Sequence, residues 1–159
     1  MVKRSAGLLV YRTSNGETEV FLVHPGGPFW AKKDAGSWSI PKGEFETEEP
    51  LKAALREFEE ETGQRISGDF VELKPVKQKG GKMVYAWAVE ADVDAEEIKS
   101  NLFDMEWPPK SGVVKKYAEV DRAAWFGLEV ARSKILASQA ELIDQLDHFL
   151  AGGRWESSQ

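Results

Sequence analysis

The stretch PKGEFETEEPLKAALREFEEETG, residues 41–63, decides how this chain is read. It holds eight glutamates, four of them within positions 57–61, just before Gly63. A helix C-terminus already carries partial negative charge, so acids gathered there raise the energy of the helix unless something positive offsets them. Leu51, Ala54, Leu55 and Phe58 recur at helical spacing, Pro50 suits a first turn and Gly63 a C-cap, which predicts a helix from Glu48 to Thr62. On that helix Glu57, Glu60 and Glu61 fall within an arc of about 100° beside the apolar stripe, and Glu59 lies outside it. Carboxylates ~6 Å apart repel by roughly 3 kcal/mol per pair at an effective dielectric of about 20. A divalent cation removes that repulsion. With oxygen the only donor type, the spacing points to a hard ion, Mg²⁺ or Mn²⁺, and so to phosphate chemistry. For EFEEET on its own, a solvated acidic helix face is the plain alternative.

The surrounding residues favour the site. The stretch resembles the Nudix box, G-x5-E-x7-R-E-U-x-E-E-x-G-U with U a bulky apolar residue. Arg56 to Gly63 matches the R-E-U-x-E-E-x-G core at every fixed position. Two departures stand out: the last U is Gln64, and Gly43 precedes Arg56 by 13 positions instead of 14. A residue lost from the helix would rotate the first glutamate by about 100°, so the gap is placed in the loop, with Glu48 as the first box glutamate and Glu49 as the other candidate. The resemblance extends over most of the chain, through the lead-in WSIPKG (38–43) and AEVDRAAWFGLEVA (118–131), similar to a segment that closes many Nudix domains.

The resemblance implies an α+β Nudix fold, a mixed sheet sandwiched between helices, and hydrolysis of a nucleoside diphosphate linked to another group. It implies metal ligands at Glu57, Glu60 and Glu61, a fourth at Glu119, six residues before Trp125, and the backbone carbonyl of Lys42. Glu57 is the first choice for general base or shared ligand, Glu60 joins it in the catalytic set, and Arg56 orients a box glutamate. Glu106 is an outside candidate for the base. The W-x-x-P-K-G lead-in is similar to members acting on dinucleoside polyphosphates or diphosphoinositol polyphosphates. A catalytically silent Nudix-fold nucleotide sensor and a Nudix enzyme acting on a non-nucleotide diphosphate are the rival readings. The complete glutamate trio speaks against the sensor.

At 159 residues the chain suits one domain, expected over 1–150 with a flexible tail at 151–159. The absence of cysteine excludes disulfides, thiolate zinc sites and a thiol nucleophile. A net charge of −6 argues against general nucleic-acid binding, and no apolar run approaches the ~18 residues of a membrane span. With no recognisable signal peptide, a cytoplasmic protein with a small nucleotide or polyphosphate substrate is expected.

SAGLLVYR (5–12) and EVFLVH (19–24) predict a hairpin with a turn of four to six residues. A long Gly- and Pro-rich loop follows at 25–37, then a short strand at 38–41. Residues 70–78 and 82–90 predict a second hairpin around Gly80-Gly81, with Met83, Tyr85, Trp87 and Val89 on one face. A helical turn is expected in DAEEIKSN, a loop at 106–112, a strand at 113–120, and one amphipathic helix over 128–150. Lys42 is placed to meet phosphate, with Lys32, Lys33, Lys82 and Lys110 as further contacts. Trp30 and Trp107, with Phe29 and Phe103, are candidates to stack on a base, against the plainer reading of core or loop packing. His24 and His148 are too far apart to suggest a metal pair.

Overall fold

The computed structural model describes residues 2–152, so the expected tail lies outside the described residues from 153 onward. The hairpin of β1 (Arg4–Ser14) and β2 (Glu17–Pro25) is tighter than its sequence suggests. Its turn is the pair Asn15-Gly16, at φ 52° and 80°, the left-handed conformation that a two-residue hairpin turn needs and that Asn and Gly tolerate. The β1 residues from Ser5 to Val10 are buried without alternation, because both faces of the sheet are covered. Leu8 and Val10 join one core with Phe21, Ala54, Phe58 and Trp87; Leu9 joins the other with Leu22, Ile40, Ile135, Ile143 and Leu146. The mixed sheet between helices expected from the sequence is present.

The main sheet runs β4 (Val71–Glu72), β6 (Met83–Glu90), β1, β2, β9 (Val120–Gly127), with β3 (Lys42–Phe45) also paired to β1 and β5 (Val76–Lys77) to β6. Its one parallel pair is β1 with β6; the other neighbours are antiparallel. Pro75 separates β4 from β5, so the expected 70–78 strand is two short pieces. Tyr85, Trp87 and Val89 share the predicted face and Val84, Ala86 and Ala88 fill the other.

Several elements differ from expectation. α1 spans Pro50–Thr62 rather than starting at Glu48, since Glu49, preceding a proline, is held extended at ψ 132° and caps the helix. Its carboxylate accepts from the Leu51 and Lys52 amides. The 38–41 segment makes isolated bridges, Val23 with Ser39 and Trp38 with Ile135, and the strand proper is Lys42–Phe45. DAEEIKSN forms only a turn. The 106–112 loop closes a separate hairpin of β7 (Leu102–Glu106) and β8 (Val114–Ala118), and β9 follows β8 after Glu119, so the single strand expected at 113–120 is divided between the two.

The predicted 128–150 helix is broken into α2 (Leu128–Lys134) and α3 (Ala140–Leu150) around a 3-10 turn at Ala137–Gln139. The break has a visible cause. The Trp38 amide donates to the Lys134 carbonyl and the Leu136 amide donates to the Trp38 carbonyl, which holds Ile135 extended. Gln139 is fully buried there; its Oε1 accepts from the Ile40 amide at 3.0 Å and its Nε2 donates to Ser39 Oγ at 3.0 Å. Gln139→Leu strands the Ile40 amide and is expected to cost about 1–3 kcal/mol in urea unfolding. Ser133→Ala, on the exposed side of α2, is expected to change stability by less than about 0.5 kcal/mol.

Candidate active site

β1 pairs with β2 only from Tyr11 to Ser14 and with β3 from Arg4 to Gly7. Where the two partners diverge, Val23 of β2 bonds Ser39 and the Leu8 amide bonds the Pro41 carbonyl. The parted strands leave a cleft of about 370 Å³, within the ~300–1,000 Å³ of small-molecule sites. Its lining includes Trp30, Ile40, Lys42, Glu61, Gln78 and Glu119.

The C-terminal end of α1 is delivered here by backbone bonds. Gly63, at φ 74°, donates to the Glu59 carbonyl, Lys99 to Thr62 and Asn101 to Glu60, which satisfies three of the last four carbonyls of the helix. The same Asn101 accepts from the Glu119 amide, and Glu119 accepts from the Gly26 amide. A loop residue 58 positions beyond Glu61 (119 − 61) is thus tied to the helix end. Gly43 lets α1 approach β3: a Cβ there would fall on the Glu57 carboxyl group.

Arg56 organises the acids. Its Nε and Nη2 reach Glu48, the latter at 2.7 Å, and its Nη1 donates to Glu57 at 2.7 Å and Glu60 at 3.0 Å. Glu48 is therefore the partner of Arg56, and Glu49 is the helix cap. Glu59 turns away and pairs with Arg65 at 3.0 Å. Burial pushes the Glu61 carboxyl up to about 8, with Glu57 adding repulsion and Lys42 opposing it. Burial also raises Glu57, against the pull of Arg56, and raises Glu119, with Glu60 adding to it. Lys42 is lowered by burial and by Lys82.

Glu57, Glu60, Glu61 and Glu119 fit a hard divalent cation in kind: their side chains offer only oxygen donors, and three of them have raised proton affinities that a cation would reverse. Among the described residues no three acidic or histidine side chains stand at a spacing ready to enclose an ion. Glu57 and Glu60 instead share the Arg56 guanidinium.

Of the aromatic candidates, Trp30 lines the cleft, edge-on to Phe29 at 5.0 Å. Lys33 lies over both rings. Trp107 is in the β7–β8 loop and is not among the residues lining this cleft, while Phe103 of that hairpin packs close to Gly27. Glu106 accepts from the Gly112 amide at 2.7 Å and so closes its own hairpin. Lys82 pairs with Glu44 at 2.8 Å. Sequence reasoning missed the roles of Gln64 and Gln78 and left His24 open between a structural and an exposed place. His24 is fully buried, bonded to Asp121 at 2.8 Å and to the Lys33 carbonyl at 2.6 Å, which ties the long loop to β9. Gln64, where the family pattern has an apolar residue, exchanges two bonds with the Asp94 backbone. Gln78 enters the cleft from the β5–β6 turn; only the neighbouring Gly80-Gly81 hinted at its position.

The chain matches the NUDIX domain family model over residues 1–146 and belongs to that family. Solved structures share the fold. An Ap4A hydrolase of C. elegans, in a binary complex, is 24% identical with a TM-score of 0.67, over 95% of this chain and 99% of that one. The NUDIX domain of Shewanella oneidensis NrtR, complexed with ADP ribose, is 16% identical with a TM-score of 0.66, over 94% and 89%. Among curated proteins none matches the chain in sequence.

Glu61 gives a stability prediction of definite sign. Its folded-state affinity for a proton exceeds the unfolded value, so the stability tied to its protonated form is present below about 4.5 and is lost as pH rises toward about 8. Without divalent cations, Glu61→Gln is expected to raise the melting temperature at pH 8 by on the order of 10 °C and to leave it nearly unchanged at pH 4.5. Gly43→Ala is expected to displace Glu57 and to lower stability, seen as a lowered melting temperature.

Proposed function

We propose that this protein is a divalent-metal-dependent pyrophosphohydrolase that cleaves a nucleoside diphosphate linked to another group, with a dinucleoside polyphosphate as first substrate. The observation carrying this reading is the convergence of the acidic end of α1 with Glu119, Lys42 and Trp30 at one cleft. Family membership supports the reaction class, and the fold shared with an Ap4A hydrolase supports the substrate choice.

In this reading Glu57, Glu60, Glu61, Glu119 and the Lys42 carbonyl hold Mg²⁺ or Mn²⁺. A divalent cation bound there neutralises charge developing on phosphoryl oxygens and acidifies water. The chain's residues do the rest. Glu57, held against Gly43 and raised by burial, is poised to accept a proton from the attacking water near neutral pH. Arg56 keeps Glu57 and Glu60 in place while Glu48 holds the far side of its guanidinium. The Lys42 ammonium meets a phosphate oxygen, and Trp30 stacks on a base remote from the phosphorus, an interaction worth ~1–3 kcal/mol. Trp107, in the β7–β8 loop, is the second stacking candidate of this proposal.

The deciding experiment incubates purified protein and Mn²⁺ with diadenosine tetraphosphate, nucleotide sugars, damaged nucleoside triphosphates and diphosphoinositol polyphosphates. Phosphate-containing products from the first are expected. Cleavage of another member of the panel removes the substrate choice, and binding without cleavage of any favours a sensor. Glu57→Gln, Glu60→Gln and Glu61→Gln are each expected to lower kcat by about 10²-fold or more, and Glu59→Gln by less than about 3-fold. Equal losses in all four would remove the assignment of faces.

Trp30→Ala is expected to raise KM about 10-fold with kcat within about 3-fold, because stacking away from the reacting atoms is mostly uniform binding. A fall in kcat at unchanged KM would move Trp30 from base binding to positioning of the phosphate.

A further inference from the structure

Gln78 stands where the cleft opens into a neighbouring recess of about 350 Å³ lined by Lys79, Lys82, Ala137 and Ser138; Gln78 and Leu136 belong to both. Its backbone is fixed by the turn between β5 and β6: its amide donates to the Lys82 carbonyl at 2.7 Å and its carbonyl accepts from Gly81 at 3.1 Å. The side-chain Oε1 is buried and has no hydrogen-bond partner in the protein. A buried acceptor left without a donor costs free energy, and the groups most often found in such a position meet a ligand or water. The buried Gln139, by contrast, has both ends of its amide engaged, Oε1 by the Ile40 amide and Nε2 by Ser39 Oγ.

What surrounds Gln78 narrows the donor. Val23, Ile40, Leu136 and Trp30 supply apolar surface suited to a flat ring, while Lys42, Glu61 and Glu119 occupy the polar part of the lining. A deprotonated phosphate offers only acceptors, so the donor missing at Oε1 comes from the other end of a nucleotide. We infer that Gln78 is a specificity-determining residue whose Oε1 accepts a hydrogen bond from the exocyclic amino group of a nucleobase seated between Trp30 and Leu136. A buried polar group left unpaired by the wrong ligand is the kind of contact that discriminates strongly between analogues. This inference rests on the reading that the cleft takes a nucleotide.

The test separates the two. Binding of AMP and of purine riboside 5′-monophosphate, which lacks the amino group, is measured by titration calorimetry with Mn²⁺ for the wild type and for Gln78→Met, which keeps length and removes the acceptor. Melting temperature serves as the check on folding, and Gln78→Glu, which keeps acceptor oxygens, as a second variant. AMP is expected to bind the wild type about 10-fold more tightly than its analogue, and Gln78→Met to erase that preference by weakening AMP alone. CMP and its 4-deamino analogue form a parallel arm; a preference lost there instead assigns the amino group to a pyrimidine and supports the inference. Equal binding of each pair by the wild type overturns it, as does a preference unchanged in Gln78→Met. So does a loss that follows the ribose hydroxyls in 2′- and 3′-deoxy analogues. Because these measurements need no turnover, failure to hydrolyse any pyrophosphate overturns the enzymatic reading alone, whereas hydrolysis without a Gln78-dependent amino preference overturns this inference alone.

Discussion

One guanidinium holds the acidic helix together. Arg56 contacts Glu48, Glu57 and Glu60, three carboxylates from two turns of helix and the loop before it, and its own proton affinity is held well above the usual range by them. Without a cation in that position the acids at the C-terminal end of α1 would repel one another and the helix's own carbonyl end. The arrangement is exposed on the Glu48 side and half-buried at Glu57, so the attraction is strongest where water is scarcest. Glu61, on the buried side of the helix and without a bond to Arg56, has its proton affinity raised chiefly by burial and secondarily by repulsion from Glu57.

The site depends equally on a defect in the sheet. Had β1 and β2 stayed paired along their full length, Val23 would face β1 and no crevice would open. Instead β1 exchanges one partner for another near Leu8, and the chain between Ser39 and Lys42 bridges the gap. That bridge is held from behind by Gln139 and by the extended residues at Ile135–Leu136. The interruption of the C-terminal helix and the opening of the cleft are therefore two consequences of one set of backbone bonds.

The long loop at 25–37 is held at several points. His24 bonds the Lys33 carbonyl, Asp34 accepts from Trp38 Nε1 and pairs with Lys134 at 2.6 Å, and Lys33 lies over the Phe29 and Trp30 rings. Trp30 consequently meets the cleft from a fastened segment, which lowers the conformational entropy lost on binding a ring.

The box helix, expected from Glu48 and found from Pro50 to Thr62, its apolar stripe, the outward turn of Glu59 and the grouping of Glu57 with Glu60 were legible in the sequence, because they follow from helical periodicity over a few residues. So was the class of a mixed sheet sandwiched between helices. Legibility ended where a position depends on contacts between distant segments. The convergence of Glu119 with Glu61 relies on Asn101 and Gly26, the split of the C-terminal helix on Trp38, and the burial of His24 on Asp121. Glu48 and Glu49 show the boundary most sharply: local spacing left both open as the first box glutamate, and the folded chain made one a partner of Arg56 and the other a helix cap. Periodic patterns are written in neighbouring residues, whereas an orphaned oxygen such as Gln78 Oε1 exists only once strands, turns and helices have closed around it.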